Sequence, residues 1–235
     1  MKRALLLLPL LSALPAYAGF TTEGETCNAD LETVDADLRD ELLLILPEGT
    51  VINDAYINTN TNIPVTKEYV GGTLEITFMH EGAGYKNRFG YFVYDPDVLD
   101  PDNFDREDML AALGGDTTAD AQGVIEWGEI WENASERYAG GDGTCLQAGH
   151  TAKLELESDW VDHNVGFWLQ ANGYNTSSGT WWYSIAELNA SDDQPHLTLL
   201  QTLSDSEMLV MGWEDIDLNY GSCDHDFNDL LMTVT

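Results

Sequence analysis

The feature that most constrains the fold is the spacing of turn residues after residue 50. Clusters of Gly, Asn and Asp divide this part of the chain into short apolar segments. Between residues 73 and 79, Leu74, Ile76 and Phe78 share one face of an extended chain. Many short strands of this kind predict a mainly β fold, an antiparallel β-sandwich of jelly-roll type with one or two short helices. The predicted strands are residues 73–80, 88–94, 124–127, 151–157, 165–171, 181–185, 196–203, 208–213 and 230–235.

Helical periodicity is confined to two segments. Residues 28–46 are predicted to form a helix, because acidic residues crowd its start and Leu38, Leu42 and Leu46 supply an apolar face. A second, shorter helix is predicted over residues 105–113. No linker rich in Pro, Ser or Gly divides the chain, so residues 19–235 are predicted to form a single domain.

The N-terminal residues have the pattern of a secretory signal peptide. Lys2 and Arg3 precede an apolar run, and Ala16-Tyr17-Ala18 is a cleavage site with small residues at its outer positions. The run is shorter than the roughly 20 residues that span a bilayer. We therefore expect residues 1–18 to be removed and the mature protein to be secreted without membrane insertion, with the periplasm as the alternative compartment.

The charge excludes several classes of partner. The chain has 9 Lys and Arg against 42 Asp and Glu, a formal net charge of −33. Nucleic acids and anionic membrane surfaces need clustered basic residues, which this chain does not have. With 7 Trp, 10 Tyr and 7 Phe the chain can still bury a substantial core. The acidic residues must therefore lie on the surface, in cation sites, or in both.

Three cysteines lie in the predicted mature chain, namely Cys27, Cys145 and Cys223. Their wide spacing excludes a Cys-x-x-Cys metal or redox motif. An oxidising compartment allows one disulfide and leaves one thiol, and the exposed-looking loops around Cys145 and Cys223 favour that pair. The pairing stays open, and three unpaired cysteines are the alternative.

The acidic C-terminal segment predicts a calcium site. Residues 214–229 contain acidic and amide side chains but no Lys or Arg, and Trp213 and Phe227 anchor them to the core. Carboxylates held together near a core need a counter-charge, and Ca²⁺ takes six to eight oxygen ligands in flexible loops. The loop is not an EF-hand, because Asp229 occupies the position that needs Gly. A solvated acidic turn is the alternative. The predicted ligands are Glu214, Asp215, Asp224, Asp226, Asn228 and Asp229.

Two further segments have competing interpretations. Residues 95–105 are predicted to be a solvated acidic loop that ends at a helix start, and a second Ca²⁺ loop is the alternative. The scarce bases Lys86 and Arg88 pair either with acidic loops or in ordinary surface ion pairs.

A third segment carries aromatic residues beside amides. Asn172, Tyr174, Trp181 and Tyr183 lie at the two ends of a predicted hairpin. Exposed aromatic rings beside amides can stack on sugar rings and bond to hydroxyls, as in a lectin-like site. Burial of some of these rings in the sandwich core is the alternative.

Several motifs together resemble a bacterial extracellular family, the LruC-type domain, whose C-terminal half is a domain of unknown function. The resemblance implies a secreted or surface-attached β-rich module of adhesin-like or matrix proteins. It also implies a Ca²⁺-binding acidic C-terminal motif and no enzymatic activity. The motifs are residues 46–49, 81–87, 90–91, 133–135, 166–169, 171–173, 212–215 and 224–229.

These observations predict a secreted, non-catalytic, Ca²⁺-binding β-sandwich module for extracellular adhesion or matrix association. Its partner would be a cell-surface or matrix glycan or protein. A carbohydrate-binding module is the alternative. A secreted hydrolase with a carboxylate pair is less favoured, because so many acids make some pair inevitable. The sequence also lacks a Gly-x-Ser-x-Gly elbow and a His-Glu-x-x-His zinc motif.

Overall fold

Two antiparallel sheets pack face to face in the computed structural model of the protein, which confirms the predicted β-sandwich. The predicted signal peptide, Cys27 and Cys145 lie outside the residues that the structure describes. Those described residues are 21–23, 34, 36–52, 62–136, 146–189, 194–201 and 208–235.

Two α-helices and eleven strands form within the described residues. The helices are α1 (Ala36–Ile45) and α2 (Arg106–Leu113). The strands are β1 (Thr21–Glu23), β2 (Ile63–Pro64), β3 (Thr73–His80), β4 (Arg88–Tyr94), β5 (Val124–Trp131), β6 (Thr151–Glu155), β7 (Asn164–Gln170), β8 (Trp181–Tyr183), β9 (Leu197–Gln201), β10 (Leu209–Trp213) and β11 (Leu230–Val234).

The strands are ordered so that sheet neighbours are often distant in sequence. The first sheet has the order β1-β6-β3-β11-β10-β9, and the second has the order β2-β7-β4-β5 with β8 beside β7. The C-terminal strand β11 lies between β3 and β10, where Thr233 pairs with Thr77 on one side and with Val210 on the other. The last residues of the chain thus complete the first sheet in its interior.

The main core lies between the two sheets. Leu74, Ile76 and Phe78 on β3 are all buried, as their alternation predicts. Aromatic side chains fill much of the space, and the rings of Phe89 and Trp213 meet edge to face with centroids 5.9 Å apart. Such contacts bury large areas and favour one arrangement of the two sheets.

Each sheet is also covered on its outer face, so the molecule has more layers than a simple sandwich. Met109 of α2 packs with Phe92 and Trp168 on the outside of the second sheet. Leu42 of α1 and Phe227 pack on the outside of the first sheet. Double-sided burial explains why β4 and β11 are buried almost continuously instead of alternating.

The helix boundaries differ in part from the predictions. Helix α1 begins at Ala36, and Val34 is not helical, whereas residues 28–33 and 35 lie outside the described residues. Helix α2 follows Asp105, whose side chain accepts hydrogen bonds from the backbone N–H groups of Glu107 and Asp108 at 2.9 and 3.2 Å. Neither helix combines the length and apolarity that crossing a bilayer requires, and the same holds throughout the part of the chain that the structure describes.

Candidate metal centre

The loop between β10 and β11 carries the acidic residues that the sequence singles out. Trp213 at the end of β10 pairs with Leu230 at the start of β11. Glu214 follows the first of these residues and Asp229 precedes the second, so the hairpin geometry places the two acids side by side. Antiparallel pairing thus brings together carboxylates from the two ends of one loop.

An inner cluster forms at this point from Glu214, Asp215 and Asp229. Each residue offers a carboxylate oxygen within 4.8 Å of the others. Glu214 and Asp215 are only 1% and 3% exposed. The backbone N–H of Asp215 donates to Asp229 Oδ2 at 2.8 Å, and Asn87 Nδ2 donates to Asp215 Oδ2 at 2.6 Å. The carboxylates are therefore held in place by the surrounding protein.

The backbone of the inner cluster is held rigidly by two ring systems. The Glu214 carbonyl oxygen lies 2.9 Å from His196 Nδ1, and the indole N–H of Trp182 donates to the Asp215 carbonyl oxygen at 2.8 Å. The His196 and Trp182 rings stack with centroids 3.6 Å apart. Such support preorganises ligand groups before an ion arrives.

The electrostatics of the inner cluster disfavour ionised carboxylates in the absence of a cation. Burial, followed by the neighbouring Asp229 carboxylate, raises the pKa of Glu214 to about 9. Burial and carboxylate neighbours also raise the pKa values of Asp215 and Asp229. No Lys or Arg among the described residues forms an ion pair with these three groups. Glu214 Oε2 is buried without a hydrogen-bond partner, so a bound cation would satisfy both its charge and its bonding capacity.

A fourth buried acid lies beside the inner cluster. Glu81 follows β3, is 6% exposed and accepts a hydrogen bond from the Glu136 backbone N–H at 3.2 Å. Burial raises its pKa to about 7, and the charge of Asp229 adds to this effect. The sequence prediction did not include Glu81. Two signals could have found it, namely its position directly after a strongly alternating strand and its place at the start of the 81–87 motif.

An outer cluster forms from Glu48, Asp224 and Asp226, which offer carboxylate oxygens within 4.8 Å of one another. Asp226 is 1% exposed, whereas Glu48 and Asp224 are exposed. Burial raises the pKa of Asp226 to about 6. The structure therefore divides the predicted ligands between two clusters, either of which could hold a metal ion. It also adds Glu48, which lies in the 46–49 motif of the LruC-type resemblance but was not predicted to be a ligand.

The structure places the residues predicted for sugar binding in different environments. Tyr183 is 5% exposed and packs in the apolar cluster under α2. Trp181 is half-buried, and the Arg106 guanidinium lies 4.2 Å from its ring centroid. Tyr174 is exposed in the loop after β7. Asn172 lines an open cleft of about 390 Å³ beside Asp215, and the three aromatic residues are not among its lining residues.

The structure also shows contacts of the acidic segment 95–105 and of the bases Lys86 and Arg88. In the segment 95–105, Asp95, Asp100 and Asp105 accept hydrogen bonds from nearby backbone N–H groups, as expected for a solvated loop and helix cap. Arg88 pairs with Glu129 on the neighbouring strand. The carbonyl oxygen of Lys86 accepts a hydrogen bond from the Tyr174 N–H at 3.1 Å.

Cys223 is a free thiol within the described residues. It lies beside Glu214, and burial followed by the Glu214 charge raises the pKa of its thiol to about 12. Without a bound cation, the side chain therefore stays protonated at neutral pH. The three predicted pairings all involve a residue outside the described part of the chain, so they stay predictions.

Comparison with known proteins relates the C-terminal third of the chain to an uncharacterised family. Residues 160–235 match the family described as a domain of unknown function, DUF4114. The matched segment runs from Trp160 through β7 to β11 and includes the inner cluster. No curated protein and no solved structure matches the chain.

Proposed function

We propose that the protein is a secreted, non-catalytic, Ca²⁺-binding β-sandwich module of the LruC type that serves extracellular adhesion or matrix association. One observation carries the Ca²⁺ proposal. Glu214, Asp215 and Asp229 converge within 4.8 Å with no basic partner among the described residues, and Glu214 Oε2 is buried without a hydrogen-bond partner. Three ionised carboxylates at this spacing repel one another unless a cation lies between them.

Calcium is the cation that best fits the donor set. The converging groups are carboxylate oxygens, which hard divalent cations prefer, whereas Zn²⁺ sites use mainly Cys and His. Among the described residues, the two groups that could hold an ion consist of carboxylates alone. Mg²⁺ demands near-ideal octahedral geometry and keeps several waters. A loop of sixteen positions (214–229) between two strands suits the more variable coordination of Ca²⁺.

The ion would couple binding to folding. It would join the end of β10 to the start of β11, and β11 lies in the interior of the first sheet. Because the unfolded chain does not hold these carboxylates together, a cation that binds only the folded state stabilises that state. Extracellular calcium modules use weak sites, with dissociation constants of about 10⁻⁴–10⁻³ M.

The extracellular part of the proposal has separate support. The signal-peptide pattern and the LruC-type resemblance favour an exported module whose partner is a cell-surface or matrix glycan or protein. The clustering of acids favours a non-catalytic role, because glycoside hydrolysis needs two carboxylates about 5–9.5 Å apart across a substrate cleft. In the inner cluster three acids converge on one point instead.

The decisive experiment measures the melting temperature after Ca²⁺ removal with EGTA and again after addition of excess Ca²⁺ or Mg²⁺. We expect Ca²⁺ to raise it clearly and Mg²⁺ to raise it little. The double variant Asp215→Asn, Asp229→Asn should lose most of this rise. Asp97→Asn, which neutralises an acid outside both clusters, is the matched control and should keep it. An unchanged melting temperature of the wild-type protein in EGTA and in Ca²⁺ would remove the basis for this function.

The cleft beside Asp215 favours carbohydrate binding as a second candidate function. Its lining residues include Thr176 and Ser178, which carry hydroxyl groups, and Tyr85 and Tyr220, which are 43% and 69% exposed. Exposed tyrosines beside hydroxyl and carboxylate groups can stack on a sugar ring and bond to its hydroxyls. A glycan array in Ca²⁺ buffer tests this function, and Tyr220→Ala should weaken any binding found. An array without a reproducible signal would argue against it.

A further inference from the structure

The outer cluster joins two segments that lie far apart in the sequence. Glu48 belongs to the turn after α1, whereas Asp224 and Asp226 belong to the loop before β11. The three carboxylates lie within 4.8 Å of one another. No Lys or Arg of the described residues pairs with any of them. Without a counter-charge, their repulsion would push α1 away from the C-terminal loop.

Hydrogen bonds hold the two segments in register. The Gly49 N–H donates to Asp226 Oδ2 at 2.7 Å, and the Ile52 N–H donates to the His225 carbonyl oxygen at 3.0 Å. Asn228 Nδ2 donates to the Leu46 carbonyl oxygen at 3.3 Å. The carboxylates are therefore brought together by a defined backbone framework and not by free side-chain motion.

A buried, unbonded oxygen points into the same place. Asn228 is 1% exposed, and its Oδ1 atom is buried without a hydrogen-bond partner. Because Nδ2 is used by Leu46, the carbonyl end of the amide faces the other way. A Cβ atom built on Gly82 would lie 2.5 Å from Asn228 Oδ1 and 2.9 Å from Glu48 Oε2. The two oxygens thus converge on one small space that a glycine leaves open.

Hydrogen bonding among the described residues gives this amide oxygen no partner, although a buried amide oxygen normally has one. A cation accounts for it together with the converging carboxylates, since both are oxygen ligands of a hard metal.

We propose that Glu48, Asp224, Asp226 and Asn228 form a second site for Ca²⁺, separate from the inner cluster. The ion clamps the end of α1 against the C-terminal loop and completes the layer that covers the first sheet. Two of its carboxylates are exposed, so this site binds Ca²⁺ more weakly and exchanges it faster than the inner site. The inference extends the proposed calcium function but rests on its own ligands, so either site can fail alone.

Calorimetric titration of the metal-stripped protein with Ca²⁺ tests the proposal through stoichiometry. We expect two ions per chain for the wild type and for the control Asp97→Asn. The double variant Glu48→Gln, Asp224→Asn should bind one ion, and so should Asp215→Asn, Asp229→Asn. Two ions bound by the Glu48, Asp224 variant would overturn the outer site. A single wild-type ion that is lost with Asp215→Asn, Asp229→Asn and kept with Glu48→Gln, Asp224→Asn would also overturn it. A single wild-type ion that is kept with Asp215→Asn, Asp229→Asn and lost with Glu48→Gln, Asp224→Asn would instead contradict the inner site.

Hydrogen exchange gives a local readout that does not depend on total stability. Ca²⁺ should slow amide exchange in residues 46–52 of the wild type, because Gly49 and Ile52 donate to the loop that the ion holds. Glu48→Gln should abolish this slowing while leaving the Ca²⁺ effect at β10 and β11 in place. Gly82→Ala should act in the same direction, because its methyl group would occupy the space between the two oxygens. Ca²⁺-dependent protection of residues 46–52 that survives in both variants would contradict the proposal.

Discussion

At the position of Glu214, burial and a neighbouring carboxylate act in the same direction. The side chain is 1% exposed and its pKa is raised to about 9, first by burial and then by Asp229. The ionised form is therefore unfavourable in the metal-free fold at neutral pH. The same carboxylate is a strong ligand once a cation is present. Such a residue lowers the stability of the metal-free fold and supplies binding energy when a cation is bound.

The variant Glu214→Gln separates these two effects. Without metal at pH 8, the wild-type side chain must take up a proton on folding, because its folded-state pKa of about 9 lies above the pH. The amide has no such cost, so we expect the melting temperature to rise by roughly 2–4 °C, equivalent to about 1 kcal/mol. The Ca²⁺ affinity should fall by at least about tenfold, or about 1.4 kcal/mol. Thermal melts with and without Ca²⁺ measure both changes. A variant that melts lower without metal and binds Ca²⁺ as tightly as the wild type would contradict the assignment.

The raised pKa values also predict an unusual pH dependence of the metal-free protein. The pKa values of Glu214, Glu81 and Asp226 in the folded protein are about 9, 7 and 6, above the ordinary value near 4.5 or 3.8. A raised carboxyl pKa favours folding below the unfolded-state value, and this contribution is lost as the pH rises through the folded-state value. We expect the melting temperature to fall by roughly 5 °C or more between pH 5 and pH 9.

Thermal melts of the metal-stripped protein across this pH range provide the measurement. Saturating Ca²⁺ should flatten or reverse the trend, because ion binding favours the deprotonated carboxylates. A metal-free melting temperature that rises steadily with pH would show that the buried carboxylates are not perturbed in this way.

At the scale of elements, the hairpin of β10 and β11 organises both clusters. Its loop turns sharply at His225 and Phe227, which have positive φ angles of 59° and 57°. This conformation is uncommon for residues other than glycine. The Phe227 side chain is fully buried with Leu42 and Leu231 between α1 and the first sheet. The buried ring therefore holds the turn in the shape that brings its acids together.

Phe227→Ala should test this anchoring role. Removing a buried aromatic ring leaves a cavity and costs about 3–5 kcal/mol. We expect urea unfolding of the Ca²⁺-loaded protein to show this decrease in the free energy of unfolding. We also expect Ca²⁺ binding to weaken. Tyr69→Ala removes a ring that is 58% exposed and serves as the control, with an expected change within about 0.5 kcal/mol. A loss below about 1 kcal/mol for Phe227→Ala would mean that the ring does not hold the loop.

At the scale of the whole molecule, the charge of −33 has two parts. Most acids in the described part of the chain are exposed and interact mainly through solvent, where salt screens them. A few converge at the end of the first sheet, where burial limits screening. The exposed acids favour solubility and weaken the folded state by mutual repulsion, whereas the convergent ones form the candidate sites.

Salt should therefore stabilise the metal-free protein at fixed pH. Raising NaCl from 50 mM to 1 M shortens the screening length to about 3 Å, so surface repulsion falls. We expect the melting temperature to rise by several degrees, and the fall between pH 5 and pH 9 to persist at high salt. Melts at both salt concentrations provide the measurement. A pH dependence that disappears in 1 M NaCl would assign it to surface charge instead of the buried acids.

Much of the fold could be read from local patterns. The alternation on β3 and the capping position of Asp105 depend on residues within a few positions of one another. The prediction failed where tertiary contacts intervene. Strand β5 continues to Trp131, past the predicted end at residue 127, because its last residues pack into the core against β4.

The sequence by itself determined that the chain forms a β-rich fold and that its acidic C-terminal segment is a candidate cation site. Periodicity, turn residues and local charge density are enough for both conclusions. Only the tertiary structure decided that these acids divide into two clusters, that Glu48 joins one and that Glu81 lies beside the other. The reason is physical. Strands and turns that are distant in sequence pack together, and this packing decides which carboxylates come close to one another. The spacing of residues along the chain does not give the distances between these carboxylates.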